Sequence, residues 1–252
     1  MVYITPSFVL RTVLWFTSAL LVVVSQTAAP EQSKPRPAVS PAPSTSAQSS
    51  EDRIDRPTSE PYTGSLSIFE DPKRADKLQI DRVMDILAIR EGSVVADIGA
   101  GSGWFTVRAA RRVGLSGIVY AVEINAEYLN HIRSRAQKEN LSNITTILGR
   151  EDDPLLPSVS VGSILLIKTY HEFSKPINML RAMRKAMRKD ALLGIIDRNG
   201  AGDDHGVNKD VVKKEAALAG FLFVAEYDFV KPDDMDYFLV FRKTDAPKTL
   251  ED

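Results

Sequence analysis

Three glycines and two carboxylates form the densest chemical grouping in this sequence. The β-branched run Val94-Val95-Ala96-Asp97-Ile98 passes into Gly99-Ala100-Gly101-Ser102-Gly103 and then Trp104-Phe105. A buried strand that turns into a helix through glycines lets backbone N–H groups approach a ligand closely. The spacing is G-x-G-x-G, with Trp104 where the dinucleotide fingerprint needs its third glycine. An indole there obstructs the close helix–strand packing that this glycine permits. The lysine of a phosphate-binding loop is also missing. Asp97 would repel a pyrophosphate and suits an ammonium or sulfonium, directly or through water. Glu123 ends the next β-branched run, at a point where a carboxylate can accept hydrogen bonds from both hydroxyls of a ribose. Alone, Glu123 would read as a helix-entry acid ahead of Asn125; with Asp97 and three glycines it reads as part of a ligand site.

The elements that must position these groups follow from periodicity. Short β-branched runs lie at Val94–Ile98, Ile118–Val122, Ile144–Leu148, Ile164–Ile167 and Leu192–Ile196, separated by helical stretches. Leu129, Ile132 and Ala136 share one helix face, and Ile177, Leu180 and Met187 another. Ser174 and Pro176 open a helix, while Gly114 and Gly220 close others. This alternation predicts an α/β fold, Rossmann-like and doubly wound, with a mostly parallel seven-stranded sheet. Phe221–Tyr227 and Tyr237–Phe241, joined only by a short turn at residues 231–234, predict a C-terminal antiparallel hairpin.

The rest of the 252 residues divides by composition. Residues 1–29 contain an uncharged, mostly apolar stretch after Arg11 and then small residues, which predicts a signal peptide; uncleaved, residues 12–30 could anchor the chain in a membrane. The expected location is therefore exported, or membrane-anchored with a cytosolic face possible. Residues 30–61 hold seven of the fourteen prolines and predict a disordered linker, since proline denies both helix and ladder hydrogen bonds. Residues 62–244 carry the folded domain and 245–252 a tail. Residues 1–61 hold equal numbers of acids and bases, so the domain keeps the chain's net charge of −1. That balance argues against nucleic acid as a partner. The basic run Arg181, Arg184, Lys185, Arg188 and Lys189 reads as a solvated helix face over Met179, Met183 and Met187. The absence of cysteine excludes disulfides, thiolate metal sites and thiol nucleophiles. The pattern implies no particular oligomeric state.

The glycine loop, Glu123 and the closing hairpin resemble the class I S-adenosylmethionine-dependent methyltransferases over about residues 69–243. The chain is also similar to a little-characterised bacterial group of predicted small-molecule methyltransferases. That similarity lies in Ile68-Phe69-Glu70-Asp71-Pro72, Glu151-Asp152-Asp153-Pro154, Tyr170-His171-Glu172-Phe173 and Tyr237-Phe238-Leu239-Val240-Phe241. The resemblance implies S-adenosylmethionine as cofactor and a small-molecule methyl acceptor. Gly99, Gly101 and Gly103 would line its methionine and ribose, Asp97 would take the amino group, and Glu123 the ribose hydroxyls. Ile124 would lie on the adenine face, and Asp152, with Glu151 beside it, would accept from the adenine N6.

Methyl transfer is an in-line displacement that depends on positioning. A hydroxyl or ammonium acceptor needs a base, for which His171 is the candidate; His171 reads equally as a capping or core histidine. Tyr170, with Phe173, could present ring faces to the sulfonium. Lys168 stands where members of the subgroup often carry an acid, so no metal site is expected. His205 and His131 read as surface histidines. Two other classes remain open: an NAD(P)-type Rossmann oxidoreductase, and a non-catalytic exported binding module that retains the fold.

Overall fold

β-branched side chains pack well on a pleated surface, and each apolar run becomes a strand. The structure, a computed structural model, describes residue 54 and residues 56–244. The expected signal or anchor, most of the linker and the tail lie outside these residues. Among the described residues, no helix is long and apolar enough to cross a membrane.

The strands are β1 (Val94–Ile98), β2 (Ile118–Glu123), β3 (Ile144–Leu148), β4 (Val161–Ile167), β5 (Met187–Asp197), β6 (Phe221–Tyr227) and β7 (Tyr237–Lys243). They form one sheet in the order β3-β2-β1-β4-β5-β7-β6. The pairs among β1 to β5 are parallel. β7 lies antiparallel between β5 and β6, which is the expected hairpin. The helices are α1 (Arg74–Leu78), α2 (Ile80–Ile86), α3 (Trp104–Val113), α4 (Ala126–Lys138), α5 (Pro176–Ala186) and α6 (Lys209–Leu218).

Alternation along the strands feeds two cores, one on each face of the sheet. Ile164 and Leu166 of β4 pack with Leu180 and Met183 of α5 and Val212 of α6. Leu165, between them in sequence, packs on the opposite face with Val83 of α2 and Phe105 of α3. Gly114 closes α3 and Gly220 follows α6, both at positive φ. The α5 entrance differs from expectation: Lys175 is the N-cap, without a side-chain cap bond, and Pro176 is the first helical residue. Met187 also departs from its expected helix. It begins β5 opposite Val161, and the next pair, Ser163 with Leu192, leaves residues 188–191 as a bulge. Lys189 and Asp190 lie exposed on that bulge, where irregular pairing builds the corner.

The other difference lies at the N-terminal boundary. Residues 56–61, assigned by their prolines to a linker, are docked on the domain together with residues 62–64. Arg56 forms a bidentate ion pair with Glu215 of α6 at 3.2 and 3.1 Å. Ser59 donates its hydroxyl to the Gly202 carbonyl and its N–H to the His171 carbonyl, and its Oγ accepts from the His205 N–H. Tyr128 donates its hydroxyl to the Gly64 carbonyl at 2.8 Å. Gly202 is required here: its φ is +120°, and a Cβ would strike the Pro57 carbonyl. Proline withholds donors from a ladder, but the side chains and neighbours of this strap supply other bonds.

Candidate functional site

β1 is flanked by β2 on one side and β4 on the other, so the connections that follow β1 and β4 diverge and leave a crevice beyond the strand ends. A cavity of about 680 Å³ occupies it, lined by the glycine loop, the ends of β2 and β4, and strap residues 58–63. That volume lies within the range of small-molecule and cofactor pockets.

Hydrogen bonds fix the loop against β2. The N–H groups of Gly99 and Ala100 both donate to the Val122 carbonyl, at 2.9 and 3.0 Å. Gly99 takes φ +71°, and a Cβ would collide with the Thr169 side chain that follows β4. The missing side chain therefore brings the two strand ends into contact. Gly101 lines the cavity. Gly103 does not; it caps α3, with Ile132 of α4 packed against it. Trp104 is buried beneath the Arg74 and Arg108 guanidinium groups, 4.7 and 4.0 Å from its ring centre. The large ring at this position is thus accommodated by cation–π stacking rather than by close helix–strand packing.

Asp97 sits at the floor of the cavity, only 3% exposed. Burial pushes its carboxyl up to about 7, although the Thr106 hydroxyl donates to it at 2.6 Å and opposes the shift. Glu123 Oε2 accepts from the Gly101 N–H at 2.9 Å, while Oε1 accepts from Ile124 and Asn125 at 2.8 and 3.1 Å. Of roughly four acceptor positions on a carboxylate, one remains on Oε2. Taking two hydroxyls would require displacing the Gly101 contact. Ile124, 43% exposed, forms part of the same wall. Arg74 also lines the cavity, held by Asp233 at 3.2 Å and the Phe69 carbonyl at 3.3 Å. It offers a cation that motif reading missed, because it comes from a short helix before the first strand.

Asp152 stands apart. Its carboxylate pairs with Lys175 at 2.9 Å outside the cavity, and Glu151 and Arg150 occupy the wall instead.

The segment after β4 departs further from the sequence reading. His171 is 1% exposed and does not line the cavity. Its Nδ1–H donates to Asp197 Oδ1 at 2.8 Å, and its backbone N–H donates to Oδ2 at 3.2 Å. An ionised carboxylate only accepts, which fixes the proton on Nδ1. The imidazole ties the turn after β4 to the end of β5, so the core reading describes it and the base reading does not. Tyr170 is fully buried and donates its hydroxyl to Glu215 at 2.7 Å. Burial, followed by the Glu215 charge, pushes that hydroxyl well above the ordinary tyrosine range. Its ring faces the core and not the cavity, whereas Phe173 does line the cavity.

Lys168, Thr169, Glu172 and Ser174 are the polar residues this segment presents to the cavity. Burial pushes the Glu172 carboxyl up to about 7 against the opposing influence of His171. Tyr170 and His171 are both buried, and Glu172 beside them lines the cavity, an order that no period of 2 or 3.6 announces. The exposed histidines fall as expected, His131 on α4 and His205 in the loop after β5. Met179, Met183 and Met187 are buried. Among the described residues, no group of three or more His, Cys, Asp or Glu could hold a metal ion.

A seven-stranded α/β sheet with a terminal antiparallel hairpin, and a carboxylate-lined cavity at its glycine loop, define a Rossmann-like ligand-binding domain. Residues 95–190 match the family described as "Methyltransferase domain". Across 62 residues the chain is 37% identical to the tRNA (adenine(58)-N(1))-methyltransferase catalytic subunit of Yarrowia lipolytica, covering 25% of this chain and 16% of that protein. Across 74 residues it is 34% identical to the "Probable cobalt-precorrin-6B C(15)-methyltransferase (decarboxylating)" of Saccharolobus solfataricus, covering 29% and 37% respectively. The matched stretches thus span well under half of these curated relatives. A crystal structure of a S-adenosylmethionine-dependent methyltransferase from Aquifex aeolicus superposes with a TM-score of 0.65 at 23% identity, covering 71% of this chain and 97% of that one.

Over residues 95–190 the chain is similar to the methyltransferase-domain family, and its fold is that of an S-adenosylmethionine-dependent methyltransferase. The oxidoreductase alternative falls with that assignment. The donor set fits the cofactor: Asp97 for an ammonium, Glu123 for a ribose hydroxyl, Arg74 for a carboxylate, and Ile124 for a flat ring.

Proposed function

We propose that this chain transfers the methyl group of S-adenosylmethionine to a small-molecule acceptor that enters the same cavity. The observation that carries the reading is the strap: residues 58–63 line the same cavity as the glycine loop. A pocket of about 680 Å³ suits a cofactor and a compact acceptor better than a folded RNA or protein. The domain's near-neutral charge agrees, since phosphate-backbone binding relies on excess basic charge.

When bound, the cofactor supplies an electrophilic methyl on a cationic sulfur. Asp97, ionised on meeting the cofactor's ammonium, holds the methionine end, and Arg74 pairs with its carboxylate. Glu123 fixes the ribose, and Ile124 packs on the adenine. Glu151, already on the wall, is better placed than Asp152 to accept from the adenine amino group. The residues Lys168 to Glu172 stand where the acceptor would meet the methyl. Export, or anchoring through residues 12–30, remains part of the proposal and is tested by mass spectrometry of the mature N-terminus.

Transfer from methyl-labelled S-adenosylmethionine is the test, offered a small-metabolite extract, bulk tRNA and unfolded protein in parallel. Label appearing in the small-molecule fraction supports the reading. Label confined to tRNA or protein overturns the acceptor class, and cofactor binding with no label transfer to any fraction favours the non-catalytic module.

A further inference from the structure

We propose that Glu172 is the acceptor-side catalytic carboxylate, and that the acceptor presents an O–H or N–H heteroatom to it. This rests on the reading of the cavity as a methyl-transfer site and deepens it. Three observations place Glu172 there. It lines the cavity that also holds Asp97 and Glu123. The Glu172 N–H donates to the Thr169 carbonyl at 3.0 Å, and the Thr169 side chain lies against Gly99, so the turn is pinned beside the glycine loop. Its Oε1 accepts only the Tyr62 N–H of the strap, at 3.3 Å, and Oε2 has no hydrogen-bond partner among the described residues.

The neighbours leave that oxygen available. His171, on the same turn, is committed to Asp197 at the end of β5, and Glu123 lines the same cavity from the end of β2. Tyr62 contributes only its backbone from the strap. Glu172 also takes its raised carboxyl from this surrounding of burial, with Glu123 and Asp197 adding to it and His171 opposing. A carboxyl held near neutrality accepts a proton far better than an exposed glutamate does.

The acceptor heteroatom forms its bond to the methyl carbon as the carbon–sulfur bond breaks. The electron pair of that bond stays on sulfur, which becomes a neutral thioether. The heteroatom's proton passes to Glu172 and from there to water. A carbon acceptor without such a proton would leave Glu172 idle, and a carboxylate acceptor would be repelled by it.

The test needs no knowledge of the acceptor. In sinefungin, an amine-bearing carbon replaces the methylated sulfur, so its ammonium points where the methyl would leave; S-adenosylhomocysteine has nothing there. Binding of both to the full chain is measured by calorimetry at pH 6 and pH 8, in the wild type and in Glu172→Gln. A charge-assisted hydrogen bond predicts that sinefungin binds about tenfold or more tighter than S-adenosylhomocysteine at pH 8. The preference should shrink at pH 6 and disappear in Glu172→Gln, while S-adenosylhomocysteine affinity in the variant stays unchanged. A preference that is absent from the wild type, or that survives the substitution, overturns the role of Glu172. If neither compound binds the wild type, it is the cofactor reading that fails. Should the variant not fold, the pH dependence of the wild-type ratio decides alone.

Discussion

Asp97→Asn should stabilise the ligand-free domain while weakening its hold on the cofactor. The wild-type carboxyl is buried and lifted to about 7 from an ordinary 3.8. The unfolded chain therefore ionises from about pH 4 upward while the folded chain keeps its proton until about pH 7. Folding stability contributed by this group is intact at low pH and is lost as pH rises through that window. A separation of about three units at ~1.4 kcal/mol each makes the full penalty on the order of 4 kcal/mol above pH 7. Asparagine removes it, and the Thr106 hydroxyl, 2.6 Å from the carboxylate, can still donate to the amide oxygen. Urea unfolding at pH 5, 6, 7 and 8 should show the variant gaining most at pH 8 and little at pH 5. Part of the wild-type slope should survive, because Glu172 titrates in the same window. Binding moves the opposite way. An ammonium beside Asp97 favours the ionised form, so wild-type affinity for S-adenosylhomocysteine should fall up to tenfold per unit below pH 7. At pH 8 the variant should bind about 10- to 100-fold more weakly, as expected for losing a charged hydrogen-bond partner. A variant that is no more stable at pH 8, or that binds as tightly as wild type, refutes the reasoning.

Two further substitutions separate support from chemistry. His171→Ala leaves the Asp197 carboxylate, 0% exposed, without its imidazole partner; it should cost roughly 3–5 kcal/mol, read as a fall in urea midpoint, yet leave S-adenosylhomocysteine affinity unchanged in the folded fraction. Arg56→Ala breaks an ion pair whose partners are 10% and 8% exposed and should release the strap. Limited proteolysis should then cut within residues 56–64 faster than in wild type, at a stability cost also of a few kcal/mol.

The sheet was legible because its strands carry β-branched or aromatic runs separated by glycine and helix signals, and β1, β3 and β6 begin and end where their runs do. The cofactor half of the cavity was legible for a related reason: Asp97, the glycines and Glu123 lie at strand ends, so their sequence spacing fixes where they meet. The acceptor half was not. Tyr170, His171 and Glu172 occupy one short 3-10 turn, in which neighbouring side chains point to different sides. Chemical aptitude favoured His171, but the buried Asp197 at the end of β5 claims it, a pairing across 26 residues that no local pattern reveals. Asp152 and Glu151 are likewise neighbours of equal chemistry, and only the fold turns Glu151 to the cavity and Asp152 to Lys175. The strap was hidden by composition: prolines mark an extended chain equally well whether it is solvated or, like Pro57 against Gly202, laid on a surface. Arg74 carries no motif, and only the fold brings its helix over Trp104.

The account stands or falls on cofactor binding at Asp97 and Glu123. Calorimetric titration of the purified chain with S-adenosylmethionine, S-adenosylhomocysteine and NAD tests it most directly. The prediction is saturable heat at one site with the first two, at least about tenfold weaker binding in Glu123→Ala, and no heat with NAD. Silence with both S-adenosyl compounds, affinity unaltered by Glu123→Ala, or binding of NAD alone would contradict it.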